Sequence, residues 1–262
     1  MISEGTAIPI FVINLDHRSD RLEQMKERLG DLKFLRLSAT YGEDLSNEDY
    51  YQLLSTDLKY EMSKNEIACI YSHRRAWQKM IDADMPFICI LEDDVLVSHS
   101  FSDFVSDDNW LPEDFDLIKI ETMLQPVWVY RKKIKAKDRM LYQLRSPHFG
   151  TAGYLLNQKG ARKLLALTQK CDRALDDLLF EKGITDNYNL KILQIIPALC
   201  VQDFVITGTS SESDISSDRF HLRKGTDRHG FHKLWWELQR PYWQVCALLR
   251  RLLEKSITVP YV

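Results

Sequence analysis

The sequence predicts an α/β fold: a mostly parallel sheet flanked by helices, followed by a helical tail. Three observations predict it. Residues 8–15 are an apolar run of strand length and 33–37 read as a second strand, joined by an amphipathic stretch, the strand–helix–strand order that opens a parallel sheet. Residues 87–91 (Phe-Ile-Cys-Ile-Leu) are unbroken apolar, the pattern of a strand buried on both faces. At 262 residues and 45% hydrophobic, the chain can bury one substantial core with room for an appendage. The expected division is a domain over residues 1–217 and a basic, aromatic helical extension over 218–262.

In the first strand, Pro9 is tolerable only near the start, because it cannot donate to a ladder. The helix after it carries Leu22, Met25 and Leu29 at i, i+3 and i+7 and stops at Gly30. Arg18 and Arg21 stand at the strand-to-helix turn, where a phosphate or ribose could be met; solvated helix-start residues fit the same positions. Ser46 to Asp49 and Ser63 to Glu66 both match a capping box, the second more fully. The second opens a helix whose Ile67, Ile70, Trp77 and Met80 share an apolar side. Ser72 and His73 lie on or near that stripe, where a histidine is either a ligand or a satisfied core residue.

That helix feeds the central strand, which runs directly into Glu92, Asp93 and Asp94. On an extended backbone Glu92 and Asp94 face one way and Asp93 the other. Two carboxylates at the carboxyl end of a buried strand suit Mg²⁺ or Mn²⁺, which completes its shell with water and phosphate oxygens. A plain acidic turn fits the same letters.

Further on, residues 101–110 read as a short helix and 115–120 as a strand, while 127–133 and 140–145 pair as a hairpin with a basic, exposed face. In residues 150–156 the small side chains admit a ligand or a second backbone. Asn157 caps the next helix, which bears Ala161, Leu164, Leu165 and Leu167. A later helix, over 173–180, has Asp176 and Asp177 in its first turn, a placement the helix dipole favours by itself. A last strand covers 190–196, and 207–217 reads as a loop. Between 231 and 253, Trp235, Trp236, Tyr242 and Trp243 stand among Lys233, Arg240, Arg250 and Arg251. Such a segment either lies on an anionic bilayer or packs on the domain.

Net charge of -3 argues against a general nucleic-acid surface. The five cysteines, Cys69, Cys89, Cys171, Cys200 and Cys246, are scattered without a CxxC. They fit reduced, buried thiols better than a zinc site or disulfide frame. No basic-then-apolar leader and no run of ~18 apolar residues is present, so the expectation is a cytosolic protein, with peripheral membrane contact through the tail as an addition.

Several blocks in order carry a further signal: Val12-Ile-Asn-Leu15 with Arg18 and Arg21, Ser38-Ala39 with Gly42, and Glu66-Ile-Ala-Cys69 with Ser72-His73 and Trp77. Leu91-Glu-Asp-Asp-Val95, Gly150-Thr-Ala-Gly-Tyr154, Asp176 with Leu179-Phe180, and Gln202 with Ser213-Asp-Ile215 follow. The set resembles glycosyltransferase family 25, whose members include bacterial lipooligosaccharide β-galactosyltransferases and collagen galactosyltransferases. It spans roughly residues 8 to 217, departing at Tyr41, where an acid is frequent, and mildly at Ala68.

The resemblance implies a GT-A fold, a UDP-sugar donor (UDP-galactose most often), Mn²⁺ or Mg²⁺, inversion at the anomeric carbon and an oligosaccharide acceptor on a lipooligosaccharide or LPS. It implies donor contacts at Asn14, Leu15, Arg18, Arg21, Ala39, Ser72, His73, Glu92, Asp93, Thr151 and Gly153. Asp94 becomes the direct metal ligand of a DXD-like motif, with Glu92 as partner and Gln202 as a third contact to metal or diphosphate. Asp176 is the first choice of base and Asp177 the alternative. Rival readings are a UDP-glucose or UDP-N-acetylhexosamine donor, a metal-dependent nucleotidyltransferase, and a non-catalytic sugar- or membrane-binding protein.

Overall fold

In the computed structural model the described residues are 6–208 and 253–262. The strand–helix–strand opening is β1 (Ile10–Asn14), α1 (Ser19–Leu29) and β2 (Phe34–Ser38), with β1 and β2 parallel. Gly30 ends α1 with φ +57°, a conformation that costs glycine little. Then come α2 (Asn47–Leu53), α3 (Lys64–Asp82), β3 (Phe87–Glu92), β4 (Val95–Val97) and α4 (Phe101–Val105). The Ser63 capping box forms in full at the head of α3: Ser63 Oγ accepts the Glu66 N–H, and Glu66 Oε2 accepts the Ser63 N–H at 2.9 Å. At α2 only the Ser46 half is present, with the Asp49 N–H donating to Ser46 Oγ at 3.0 Å.

The chain continues through β5 (Leu117–Lys119), β6 (Glu121–Thr122), the hairpin β7 (Pro126–Ala136) and β8 (Arg139–Leu144), and β9 (Gly153–Asn157). After these come α5 (Gln158–Leu167), α6 (Leu175–Phe180), α7 (Lys182–Asn187), β10 (Ile192–Ile196), β11 (Cys200–Gln202), α8 (Asp203–Thr207) and β12 (Glu254–Thr258).

Nine strands make one sheet in the order β12-β7-β8-β10-β5-β9-β3-β1-β2, and β4, β11 and β6 make a second, small one. The large sheet is parallel at β2-β1-β3 and at β5-β10, but β9 runs antiparallel between β3 and β5. The fold is therefore α/β with a mixed sheet, in which β2, β1, β3, β5 and β10 share one direction. The inserted β9 brings residues 150–153, at its start, to the carboxyl ends of β1, β2 and β3.

Strand alternation sorts the core. Phe11, Ile13, Ile88 and Ile90 pack with Trp77 and Met80 of α3 and Leu164 of α5 on one face. Ile10, Val12, Cys89 and Leu91 pack with Met25 and Leu29 of α1 and Phe104 of α4 on the other. The unbroken run at 87–91 is covered on both sides, as its composition requires.

Two features depart from the sequence reading. Residues 190–196 are not the last strand: β11 closes against β4 and β6, and β12 pairs antiparallel with β7. The end of the segment expected to be helical thus becomes sheet, because β7 would otherwise be an open edge whose unpaired N–H and C=O groups accept a partner strand. The loop block Ser213 to Ile215 and the aromatic, basic stretch 231–252 lie outside the described residues. Among the described residues no helix is long and apolar enough to cross a membrane.

Candidate active site

A cavity of about 280 Å³ opens where β1, β2, β3 and the approach to β9 end. Glu92, Asp93 and Asp94 all line it. The expected split, with Asp93 on the opposite face, does not hold. β3 ends at Glu92, and the chain turns at Asp93 and Asp94 before β4, so strand alternation stops one residue early.

Each acid has its own partners. Glu92 Oε1 accepts from Thr151 Oγ1 at 2.8 Å and lies 3.3 Å from His73 Nε2. Burial pushes the Glu92 carboxyl up, but the His73 and Thr151 contacts and the nearby Lys119 charge outweigh it, leaving it below its usual range. Asp93 Oδ2 accepts from Asn14 Nδ2 at 2.7 Å, and Arg21 Nη1 lies 3.2 Å from its Oδ1. Asp94 Oδ2 accepts from Gln202 Nε2 at 3.2 Å, while Oδ1 is buried with no hydrogen-bond partner. Burial, then the Glu92 and Asp93 charges, raise the Asp94 carboxyl to about 7.

A buried carboxylate oxygen without a partner, beside two other acids, has the chemistry of a hard-cation ligand. Gly150 supplies a second observation. A Cβ there would lie 2.7 Å from Glu121 Oε1 and 3.2 Å from Gln202 Oε1, and its φ is +79°. Glycine keeps the space above those oxygens open. The residues present fit a hard divalent ion bound by Asp94, Glu92 and Gln202.

Asp176 lines the same cavity and is buried; its Oδ2 accepts from the Gly150 N–H at 3.3 Å, and its Oδ1 from the Asp177 N–H at 3.0 Å. Asp177 is turned away, accepting from the Tyr60 hydroxyl at 2.8 Å. The structure therefore separates two acids that adjacency left equivalent.

The other expected contacts divide. Leu15, Arg21, Ala39, Ser72, His73 and Thr151 line the cavity. Ser72 Oγ accepts the Thr40 N–H and donates to Ala68 O, both at 2.8 Å, fixing the segment after β2 to α3. Asn14 is buried behind the wall, where it holds Asp93 and donates to Arg18 O at 2.9 Å. Arg18 pairs with Asp20 at 2.8 Å outside the lining. Gly153 is not in the lining either: a Cβ on it would sit 2.2 Å from Cys200 Sγ, so its smallness serves packing.

Three features escaped the sequence reading. Lys119 and Glu121, both fully buried, form an ion pair beneath the cavity, with Lys119 Nζ also 2.6 Å from Gly150 O. Two charges in an apolar strand were the available signal. Asn65 packs against Gly42, where any Cβ would collide with its side chain, which closes the wall beside Tyr41. Trp77 Nε1 donates to Tyr154 Oη, which lies 2.8 Å from His73 Nδ1, so a polar chain runs from the core to Glu92.

Residues 7–179 match the profile of Glycosyltransferase family 25 (LPS biosynthesis protein). The chain is 31% identical over 178 residues to the lacto-N-neotetraose biosynthesis glycosyltransferase LgtE of Neisseria meningitidis serogroup B, covering 62% of this chain and 63% of that one. It is 31% identical over 167 residues to the lipooligosaccharide biosynthesis protein lex-1 of Haemophilus influenzae, covering 60% and 54%. The chain thus spans less than two thirds of the length of these relatives. Among solved structures, a glycosyltransferase involved in glycosylation of the major capsid of PBCV-1 aligns at a TM-score of 0.42 and 10% identity, over 75% of this chain and 93% of that one. On the profile match, which covers well over half of its length, the chain belongs to glycosyltransferase family 25.

Proposed function

We propose that the protein is an inverting, metal-dependent glycosyltransferase. It moves a hexose, galactose by family preference, from a UDP-sugar to a hydroxyl of a lipooligosaccharide or LPS oligosaccharide. One observation carries the reading: Glu92, Asp176 and an Asp94 carboxylate with an unpartnered oxygen converge on one cavity in a family 25 chain. The lacto-N-neotetraose biosynthesis named for LgtE and the lipooligosaccharide biosynthesis named for lex-1 support the acceptor class.

Asp94, Glu92 and Gln202 would hold Mn²⁺ or Mg²⁺. When bound, the ion supplies positive charge against the diphosphate as it leaves. Arg21, largely buried in the cavity lining and held to Asp93, adds a fixed cation on the same wall. Leu15, Ala39, Thr40 and Tyr41 give the adjoining apolar and polar wall on which a nucleoside can rest.

The acceptor oxygen forms its bond to the anomeric carbon as the bond from that carbon to the UDP oxygen breaks. Asp176 takes the hydroxyl proton, and the bonding electron pair leaves with UDP. A single displacement needs one base and no protein nucleophile. Asp177 is held by Tyr60 and supports the turn that presents Asp176. The catalytic domain of this proposal is residues 1–217, with peripheral membrane contact through the aromatic, basic stretch supported by its composition.

The test is UDP release from a panel of UDP-sugars, with Mn²⁺, with Mg²⁺ and with chelator. Release from one sugar, dependent on the ion and lost in Asp94→Ala, is expected. No release from any UDP-sugar under any of these conditions sinks the proposal.

A further inference from the structure

Cys69 lines the donor cavity, and the transfer chemistry gives it no role. It stands one turn before His73 on α3, so the two side chains share a helix face. Glu92, at the end of β3, meets them there. One ligand-capable atom from each residue, a thiol sulfur, an imidazole nitrogen and a carboxylate oxygen, lies within 4.8 Å of the other two. We propose that Cys69, His73 and Glu92 form a second cation site, selective for a borderline-soft ion of the zinc class, beside the hard-ion site of Asp94 and Gln202.

The donor set makes the selection. Thiolate and imidazole favour Zn²⁺ or Co²⁺, whereas an all-oxygen set favours Mg²⁺ or Mn²⁺. The spacing is also apt: His73 Nε2 and Glu92 Oε1 are 3.3 Å apart. Nitrogen and oxygen ligands on a tetrahedral zinc ion stand about 3.4 Å apart. Both ligands are steadied from behind, as in built metal sites. His73 Nδ1 is 2.8 Å from Tyr154 Oη, and Thr151 Oγ1 donates to Glu92 at 2.8 Å. Tyr154 and Trp77, which anchor the imidazole, are fully buried.

The proton balance is simple. A ring nitrogen that binds an ion cannot also carry a proton. With Nε2 as ligand, the His73 proton would sit on Nδ1, on the Tyr154 side, and a coordinating Cys69 would give up its thiol proton. Rearranging the Tyr154 hydroxyl costs at most one neutral hydrogen bond, little beside three ligand bonds. All three residues line the cavity, which would supply any further ligand. Glu92 cannot serve both sites, so zinc-class ions block transfer; that consequence rests on the proposed function, whereas the site itself does not.

Titration of Co²⁺ into the full, metal-free chain tests the site. A near-ultraviolet thiolate-to-cobalt charge-transfer band, saturating at one equivalent and displaced by Zn²⁺, is expected. The band disappears in Cys69→Ser and persists in Asp94→Ala, and His73→Gln weakens Co²⁺ binding at least tenfold. Absence of the band in the native chain overturns the proposal, as does an undiminished band in Cys69→Ser. If Cys69→Ser does not fold, unweakened binding in His73→Gln overturns it instead. Metal-dependent UDP release without the cobalt band removes this site alone. The band without UDP release removes the transfer reading alone.

Discussion

Gln202 Nε2 lies 3.2 Å from Asp94 Oδ2, and this bond leaves Asp94 Oδ1 buried without a partner. β11 delivers Gln202 to the turn after β3 across 108 residues of chain, and the Asp203 N–H adds a 2.8 Å bond to Asp94 O. The turn is thus held on one side and left open on the other.

Asp94 carries the first prediction. Its carboxyl is raised from 3.8 to about 7, so the metal-free folded state keeps a proton that the unfolded chain loses. This stabilising contribution is full below pH 3.8 and disappears as pH rises through about 7. Asp94→Asn, which cannot ionise, should therefore raise the melting temperature of the metal-free protein at pH 8 while lowering UDP release at least ~100-fold. Calorimetry on chelated protein checks the first half; an unchanged or lower melting temperature at pH 8 contradicts it.

Asp176 and Asp177 should part company. Asp176→Asn is expected to lower kcat by about 10²–10⁴ with donor affinity nearly unchanged, the loss typical of a removed base. Asp177→Asn weakens the bond from Tyr60 and should cost about 1–3 kcal/mol of stability with a smaller loss of kcat. Steady-state kinetics alongside urea melts separate them. The reverse pattern would move the base to Asp177.

The Lys119–Glu121 pair is fully buried, and Glu121 Oε1 has no partner. Lys119→Met should destabilise by about 3–5 kcal/mol, since it strands a buried carboxylate. Adding Glu121→Gln should recover part of that loss. A double-mutant cycle with no coupling would show that the pair is not the unit it looks to be.

His148 is buried, with its Nδ1–H donating to Phe149 O at 2.6 Å. Burial and then the Lys119 charge lower its imidazole from 6.5 to about 3. The folded state resists a proton that the unfolded chain accepts, so the contribution is whole above pH 6.5 and shrinks as pH falls toward 3. Taken alone, this contribution falls by up to about 1.4 kcal/mol per pH unit across that window, against the opposite contribution of Asp94. His148→Gln should therefore gain stability relative to the native chain as pH falls through this window, and a curve parallel to that of the native chain would rule the histidine out.

Local signals foretold much of this architecture. The Ser63 capping box, the Asn157 cap, the Gly30 stop and the two-sided apolar run at 87–91 each act within a few residues, so their consequences can be read in line. Strand direction could not be. The apolar pattern of residues 150–157 is the same whether β9 runs with or against its neighbours, and only pairing with β3 and β5 made it antiparallel. The β12–β7 pairing joins residues 126–130 to 254–258, beyond any local cue.

The site divides in the same way. By itself the sequence determined which carboxylates stand at the end of the buried strand and that Asp176 and Asp177 open a later helix, because burial and helix starts leave composition marks. Tertiary structure alone decided that Asp93 joins Glu92 and Asp94 on one cavity, that Tyr60 claims Asp177 and leaves Asp176 to the site, and that Cys69 and His73 meet Glu92. The physical reason is that a side chain's partners are chosen by distance in space, and hydrogen bonds and ion pairs here join residues tens to more than a hundred positions apart.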